Sequence, residues 1–222
     1  GVRISHHPPC MKGTALGAAA SLSSKVMLAH EILVLRHGET EWNLAGRLQG
    51  TLDSRLTPKG RRQALDQGAI LTAYSRGPFT WYCSPQGRAR ATAALARTNQ
   101  VIFEDARLSE IDLGDWTGMT RGEVAASMPH LFAANMPLAW YDHAPAGEGF
   151  SRLRDRCAAF LEALSGPAVI ITHGITGRFL RCLALGRSVT EFSTMQDEQG
   201  VVFRIQDGKQ QKLTLHGTFD LG

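Results

Sequence analysis

The chain has 222 residues, 43% hydrophobic and 20% charged, with a formal net charge of +4 and a pI near 9.1. That length and balance fit one soluble core with at most a small appended lobe. The mild positive excess contains no block of basic residues, which argues against a nucleic-acid partner and suits an enzyme that attracts an anionic substrate.

Residues 1–30 are rich in Ala, Ser, Gly and Pro and show no period. They read as an N-terminal extension: a loose tail, an extended translation start or a cloning remnant. Two less favoured readings are a poor signal peptide over Thr14–Leu22 and a chelating trio of His6, His7 and Cys10. Residues 31–222 then form a single domain. Ile32–Leu35 is a continuous apolar run, as expected of a central strand covered on both faces. Thr57-Pro58 opens a helix, with Thr as N-cap and Pro at the first helical position. That helix runs to about Tyr74 and presents Ala64, Leu65, Ala69, Ile70 and Leu71 at spacings of three and four. Phe79–Cys83 reads as a second strand, Ser84-Pro85 as the start of a helix to about Arg97, and Gln100–Phe103 as a short strand. The stretch 104–150 is irregular, rich in Gly, Pro and Met, with one helix over Arg121–Met128; it reads as a lid insertion. Next come an amphipathic helix over Ser151–Leu164, a buried strand over Ala168–Thr172 and a helix over Ile175–Leu185. The chain ends in a hairpin: Val201–Gln206, a turn at Asp207-Gly208, and Gln211–His216. Strands alternating with helices predict a three-layer α/β/α sandwich with a mostly parallel central sheet.

No apolar run approaches the ~18 residues a membrane-spanning helix needs. Cys10, Cys83, Cys157 and Cys182 form no Cys-x-x-Cys pair and no zinc-ligand spacing. They read as free thiols in a reducing, cytoplasmic compartment.

Three polar segments follow apolar strands: Arg36-His37-Gly38, Ser84-Pro85-Gln86-Gly87-Arg88 and Thr172-His173-Gly174. Ligands bind at the carboxyl ends of strands in open α/β sheets. If these strands are parallel neighbours, Arg36, Arg88, His37 and His173 converge. Guanidinium groups bind phosphate oxygens bidentately, and imidazole is a nucleophile or acid near neutrality. A metal centre on His37 and His173 is opposed by the flanking cations and lacks a suitably spaced third ligand. No metal and no cofactor is expected.

The run LRHGETEWNLAGRLQGTLDSRLTPKGRRQA, followed in order by SPQGRARATA, LSEIDLGDWTG and ITHG, resembles the histidine phosphatase superfamily, which includes the cofactor-dependent phosphoglycerate mutases. The resemblance covers Glu31 to the end of the helix after His173. It implies the phosphoglycerate mutase-like fold, with His37 as the nucleophile that becomes a phosphohistidine. It also implies a charged pocket completed by Arg36, Arg88 and His173, and Glu110 as proton donor to the leaving oxygen. Asn43, Gln49, Gly50 and the Gly174 backbone match positions that contact phosphoryl group or substrate. Asp53 and Trp116 are read as structural, and Glu148 as an anion at a helix N-terminus.

Between phosphatase and mutase, the short 104–150 stretch lacks the Arg- and Pro-rich run associated with mutases. The expected activity is therefore phosphomonoester hydrolysis, on a small phosphorylated metabolite under a lid carrying Met119, Met128, Phe132, Met136, Trp140 and Tyr141. Most of these are expected to be ordinary core residues. The alternatives are a mutase-type transfer and a non-catalytic phosphate-binding protein. No nucleic-acid or membrane partner is expected, and the chain is expected to be a monomer or homodimer.

Overall fold

The computed structural model describes residues 30–74, 77–97, 99–132 and 137–221. Of the N-terminal extension only His30 is included; His6, His7, Cys10, Thr14–Leu22 and the lid residue Met136 lie outside the described residues.

Seven strands form one sheet: β1 (Ile32–Arg36), β2 (Thr80–Cys83), β3 (Ile102–Glu104), β4 (Ala168–Thr172), β5 (Val202–Gln206), β6 (Lys209–Thr214) and β7 (Gly217–Leu221). Their order is β3-β2-β4-β1-β5-β6-β7. The first four pair in parallel, and β5, β6 and β7 add on antiparallel. The helices are α1 (Glu41–Leu44), α2 (Pro58–Tyr74), α3 (Gly87–Ala96), α4 (Arg121–Ser127), α5 (Gly149–Glu162) and α6 (Gly174–Ala184).

The apolar runs of β1 and β4 are buried on both faces because each alternate side chain meets a different helix layer. Leu33, Leu35, Val169 and Ile171 pack with Ile70 and Leu71 of α2 and Ala89 and Ala93 of α3. Ile32, Val34 and Ile170 pack on the other side with Leu153 and Phe160 of α5, Phe179 and Leu180 of α6, and Trp116 and Trp140 of the 104–150 stretch. This is the three-layer arrangement expected from the alternation. Trp116 is buried in the core, as a structural residue should be. Among the described residues no helix is long and apolar enough to cross a membrane, and Cys83, Cys157 and Cys182 are free and buried.

The structure departs from the expected elements in several places. A third C-terminal strand, β7, follows the hairpin; its side chains are mostly exposed, so main-chain pairing to β6 holds it and no apolar pattern marks it. The four-residue α1 buries nothing and is held by a capping box between Thr40 and Asn43. Helix α3 starts at Gly87, later than Ser84, because Asp53 accepts from the backbone N–H groups of Gly87 (2.7 Å) and Arg88 (3.1 Å). In α2, Leu65 and Ala69 face solvent while Gln67 and Gly68 are buried; a Cβ on Gly68 would lie 2.6 Å from the Ala96 carbonyl oxygen of α3.

Register decides where the polar segments emerge. Arg36 pairs with Thr172 across β1 and β4, and Cys83 with Ile171 across β2 and β4. His37, His173 and Ser84 therefore leave three adjacent strands side by side. The loop carrying His37 is pressed onto the first turn of α2, where a Cβ on Gly60 would sit 1.9 Å from the Glu39 carbonyl oxygen. Gly60→Ala should therefore lower stability by about 3 kcal/mol, since backbone cannot yield as a side chain can. Chemical denaturation measures this; wild-type stability would show that loop and helix can part freely.

Candidate active site

His37 is buried, 2% exposed, at the mouth of the β1–β4 pair. Its Nδ1 lies 2.8 Å from the Gly38 carbonyl oxygen. A carbonyl only accepts, so Nδ1 carries the hydrogen and Nε2 keeps its lone pair. That lone pair receives the Nε–H of Arg88 at 3.2 Å. Burial, then the Arg36 and Arg88 charges, hold the imidazole pKa well below its usual range. The ring is thus neutral at neutral pH.

Arg88 is itself 2% exposed, and protein groups meet all three of its nitrogens. Nη1 donates to the Leu52 carbonyl (2.7 Å) and to Asp53 (2.8 Å). Nη2 donates to the Gly50 carbonyl (3.0 Å) and to Gln86 (3.3 Å). Asp53 therefore caps α3 and pairs with the guanidinium, a structural part in keeping with its reading from sequence. Gly50 has φ +48° and offers its carbonyl to Arg88 and Gln86.

Arg36 is partly exposed, ion-paired to Asp197, and its Nε is buried without a partner. Gln199 donates to the His37 carbonyl (3.0 Å) and to Asn43 Oδ1 (3.2 Å), tying α1 to the His37 loop. Gln49 is bracketed by Thr40 (2.9 Å) and Ser54 (3.1 Å).

His173 is 1% exposed, its ring centroid 5.2 Å from that of His37. Its Nε2 lies 2.7 Å from Ser84 Oγ, and its Nδ1 is buried without a partner. Burial first, then the Arg88 charge, depress its pKa well below the usual imidazole range. Gly174 opens α6 beside Arg36, whose Cζ lies 3.4 Å from where a Cβ would be. Glu110 sits at the start of the same helix. Its carboxylate accepts from the backbone N–H groups of Ile175 (3.2 Å), Thr176 (3.0 Å) and Ile111 (3.1 Å). Glu148 sits at the N-cap position of α5, at the helix N-terminus where it was expected; its carboxylate makes no cap hydrogen bond and pairs with Arg156 at 2.6 Å.

A cavity of about 200 Å³ gathers Arg36, His37, Asn43, Gln49, Gly50, Arg88 and Glu110. His173 and Gly174 are not among the residues that line it. Tyr141, from the short helix Ala139–His143, also lines the cavity, its ring tilted by 31° against Trp140 with centroids 4.0 Å apart. Burial pushes its phenol up to about 12. Sequence reasoning missed Ser84, Asp197 and Gln199 as site residues. Only Ser84, just after a strand, carried a local signal; the others arrive from loops distant in sequence.

Residues 32–217 match the histidine phosphatase superfamily (branch 1). A glucosyl-3-phosphoglycerate phosphatase of Mycolicibacterium vanbaalenii is 33% identical over 187 residues, 76% of this chain and 80% of that one. A phosphoserine phosphatase 1 of Hydrogenobacter thermophilus is 32% identical over 170 residues, 73% and 79% of the two chains. The solved structure of a mycobacterial glucosyl-3-phosphoglycerate phosphatase complexed with VO3 superposes with a TM-score of 0.69 at 30% identity, covering 80% of this chain and 91% of that one.

The two neutral, buried imidazoles make stability depend on pH. The unfolded chain takes up protons on both below about pH 6.5, while the folded chain holds them off. The unfolded state then binds more protons, so stability falls as pH falls, by up to about 1.4 kcal/mol per pH unit for each ring. Thermal unfolding should show a melting temperature that is level near neutrality and declines below about pH 6.5; a rise on acidification through that range would contradict the burial of both rings in neutral form.

Proposed function

The chain belongs to the histidine phosphatase superfamily, and we propose that it hydrolyses phosphomonoesters through a phosphohistidine formed on His37. The observation that carries this is the contact of His37 Nδ1 with the Gly38 carbonyl, which puts the hydrogen on Nδ1 and directs the Nε2 lone pair toward a cavity flanked by Arg36 and Arg88. In the first step Nε2 attacks phosphorus, the P–O ester bond breaks, and the leaving oxygen takes a proton from Glu110. In the second step water attacks phosphorus, the N–P bond breaks, and the water proton returns to Glu110. Arg36 and Arg88 hold the equatorial oxygens, with Asn43 and the Gly174 N–H as further donors. Neutral His173 hydrogen-bonds where charge develops. Gln49 and Gly50 shape the wall.

Glu110 Oε1 also accepts from the Thr176 hydroxyl at 3.0 Å, which lies 2.8 Å from the Ser109 carbonyl, so the carboxyl is held in one orientation. Arg88 contributes a further requirement: its Nε–H must move from His37 Nε2 to a phosphoryl oxygen before attack.

The leaving alcohol lies beyond Glu110, where a groove is lined by Thr51, Ser109, Asp112 and Arg152. The charged and hydroxyl side chains among its lining support a small phosphorylated metabolite. The names of the two curated relatives, a phosphoglycerate glycoside phosphatase and a phosphoserine phosphatase, point the same way. In this reading the stretch 104–150 is the lid, with Tyr141 its inward residue, and the buried free thiols suit a reducing cytoplasm.

A phosphate-ester panel read out as released phosphate tests the chemistry. His37→Ala should lose at least ~10³ in rate, the scale of removing a covalent nucleophile, and the wild type should yield an acid-labile, base-stable phosphoenzyme. Full activity in the variant would sink the mechanism. With 3-phosphoglycerate, free phosphate should appear faster than any isomer; the reverse would make the chain a mutase.

A further inference from the structure

Arg36 presents an arrangement that the proposed chemistry does not by itself explain. Its Nη1 pairs with Asp197 Oδ2, while its Nε is buried and has no acceptor. A guanidinium is planar, so fixing Nη1 on one carboxylate fixes the direction of the opposite edge, which carries the Nε–H and one Nη2–H in parallel. Those two hydrogens match two oxygens of one phosphoryl group.

Asp197 is built to hold that direction. Its side chain is 8% exposed, and the same Oδ2 also receives Arg178 Nη1 at 3.3 Å. The loop that carries it is fastened to α6, because Arg178 Nε donates to the Met195 carbonyl (3.0 Å) and Arg181 Nη2 to the Gln196 carbonyl. Two residues on, Gln199 reaches the His37 carbonyl. A Cβ on Gly174 would lie 3.1 Å from Asp197 Oδ2, so the acid fills the space beside the first turn of α6.

We propose that Asp197 is a positioning residue that turns Arg36 so that its Nε/Nη2 edge faces the transferring phosphoryl group. The proposal rests on the phosphatase reading above. It makes a claim opposite in sign to simple electrostatics. A carboxylate beside an anion site repels the anion, so by Coulomb's law alone its removal should tighten anion binding. If orientation of the fork dominates, removal loosens it.

Orthovanadate inhibition of aryl phosphate hydrolysis reads this directly, with a thermal melt of each variant to confirm folding. Asp197→Ala should raise the vanadate inhibition constant and KM by roughly tenfold or more, the loss of one bidentate contact. Asp197→Asn should raise them by about threefold, because its amide oxygen can still accept from Nη1. If the alanine variant does not fold, the asparagine variant decides. Unchanged or tighter vanadate binding in the folded variant overturns the proposal. In an Arg36→Lys background there is no fork to turn, so Asp197→Ala should leave vanadate binding unchanged or tighten it. An equal weakening in both backgrounds would mean that Asp197 acts through the fold, and would also overturn it. A wild-type protein that binds no vanadate and hydrolyses no ester refutes the phosphatase reading instead.

Discussion

The constraint on which this site depends is the burial of a guanidinium. Arg88 is 2% exposed, and an ionised group taken out of water is tolerated only when its donors are met. The chain meets them with the Gly50 and Leu52 carbonyls, Asp53, Gln86 and His37 Nε2. Satisfying one arginine therefore dictates the course of residues 49–54, the left-handed turn at Gly50 and the start of α3 at Gly87. The loop between α1 and α2 is irregular, yet each of its polar contacts has a task. Shape and charge at this site are one requirement, since the groups that solvate Arg88 also form the cavity wall.

How much of this was legible in the sequence follows from the same physics. Strands β1 and β4 sit in the middle of the sheet and must be apolar on both faces, so a continuous run announces them. The polar residues after them stand out against that background, and Arg36, His37, Arg88 and His173 were placed together on that ground alone. Glu110, Asn43, Gln49 and Gly50 needed the family resemblance, because a lone acid or amide in a loop carries no period. Asp197 and Gln199 were not legible. Their partners lie about 160 positions earlier in the chain, and only the fold of the segment between α6 and β5 brings them there. β7 escaped for a different reason: its side chains are exposed, so burial never shaped its composition.

The electrostatics of the site divide labour between residue types. The two histidines are held neutral by burial and by the arginines, so they contribute lone pairs and hydrogen bonds and no net charge. The positive potential comes from the guanidinium groups of Arg36 and Arg88. Each arginine is balanced by an acid placed away from the cavity, Asp53 for Arg88 and Asp197 for Arg36. Each acid fixes the direction of its cation while moderating the total charge.

The bond from Arg88 Nε to His37 Nε2 sharpens this point. It occupies the lone pair that the proposed attack requires, so the resting site is closed to reaction. An incoming phosphoryl group offers the same N–H an anionic acceptor, so an ion pair replaces the contact of a cation with a neutral ring. The exchange is then downhill, and it frees the imidazole lone pair at the moment an electrophile arrives. A neutral ligand offers Arg88 no better acceptor than the imidazole it already has, and leaves the lone pair engaged. In the proposed chemistry, selectivity for anions is in this way coupled to activation of the nucleophile, through a single donor that both must share.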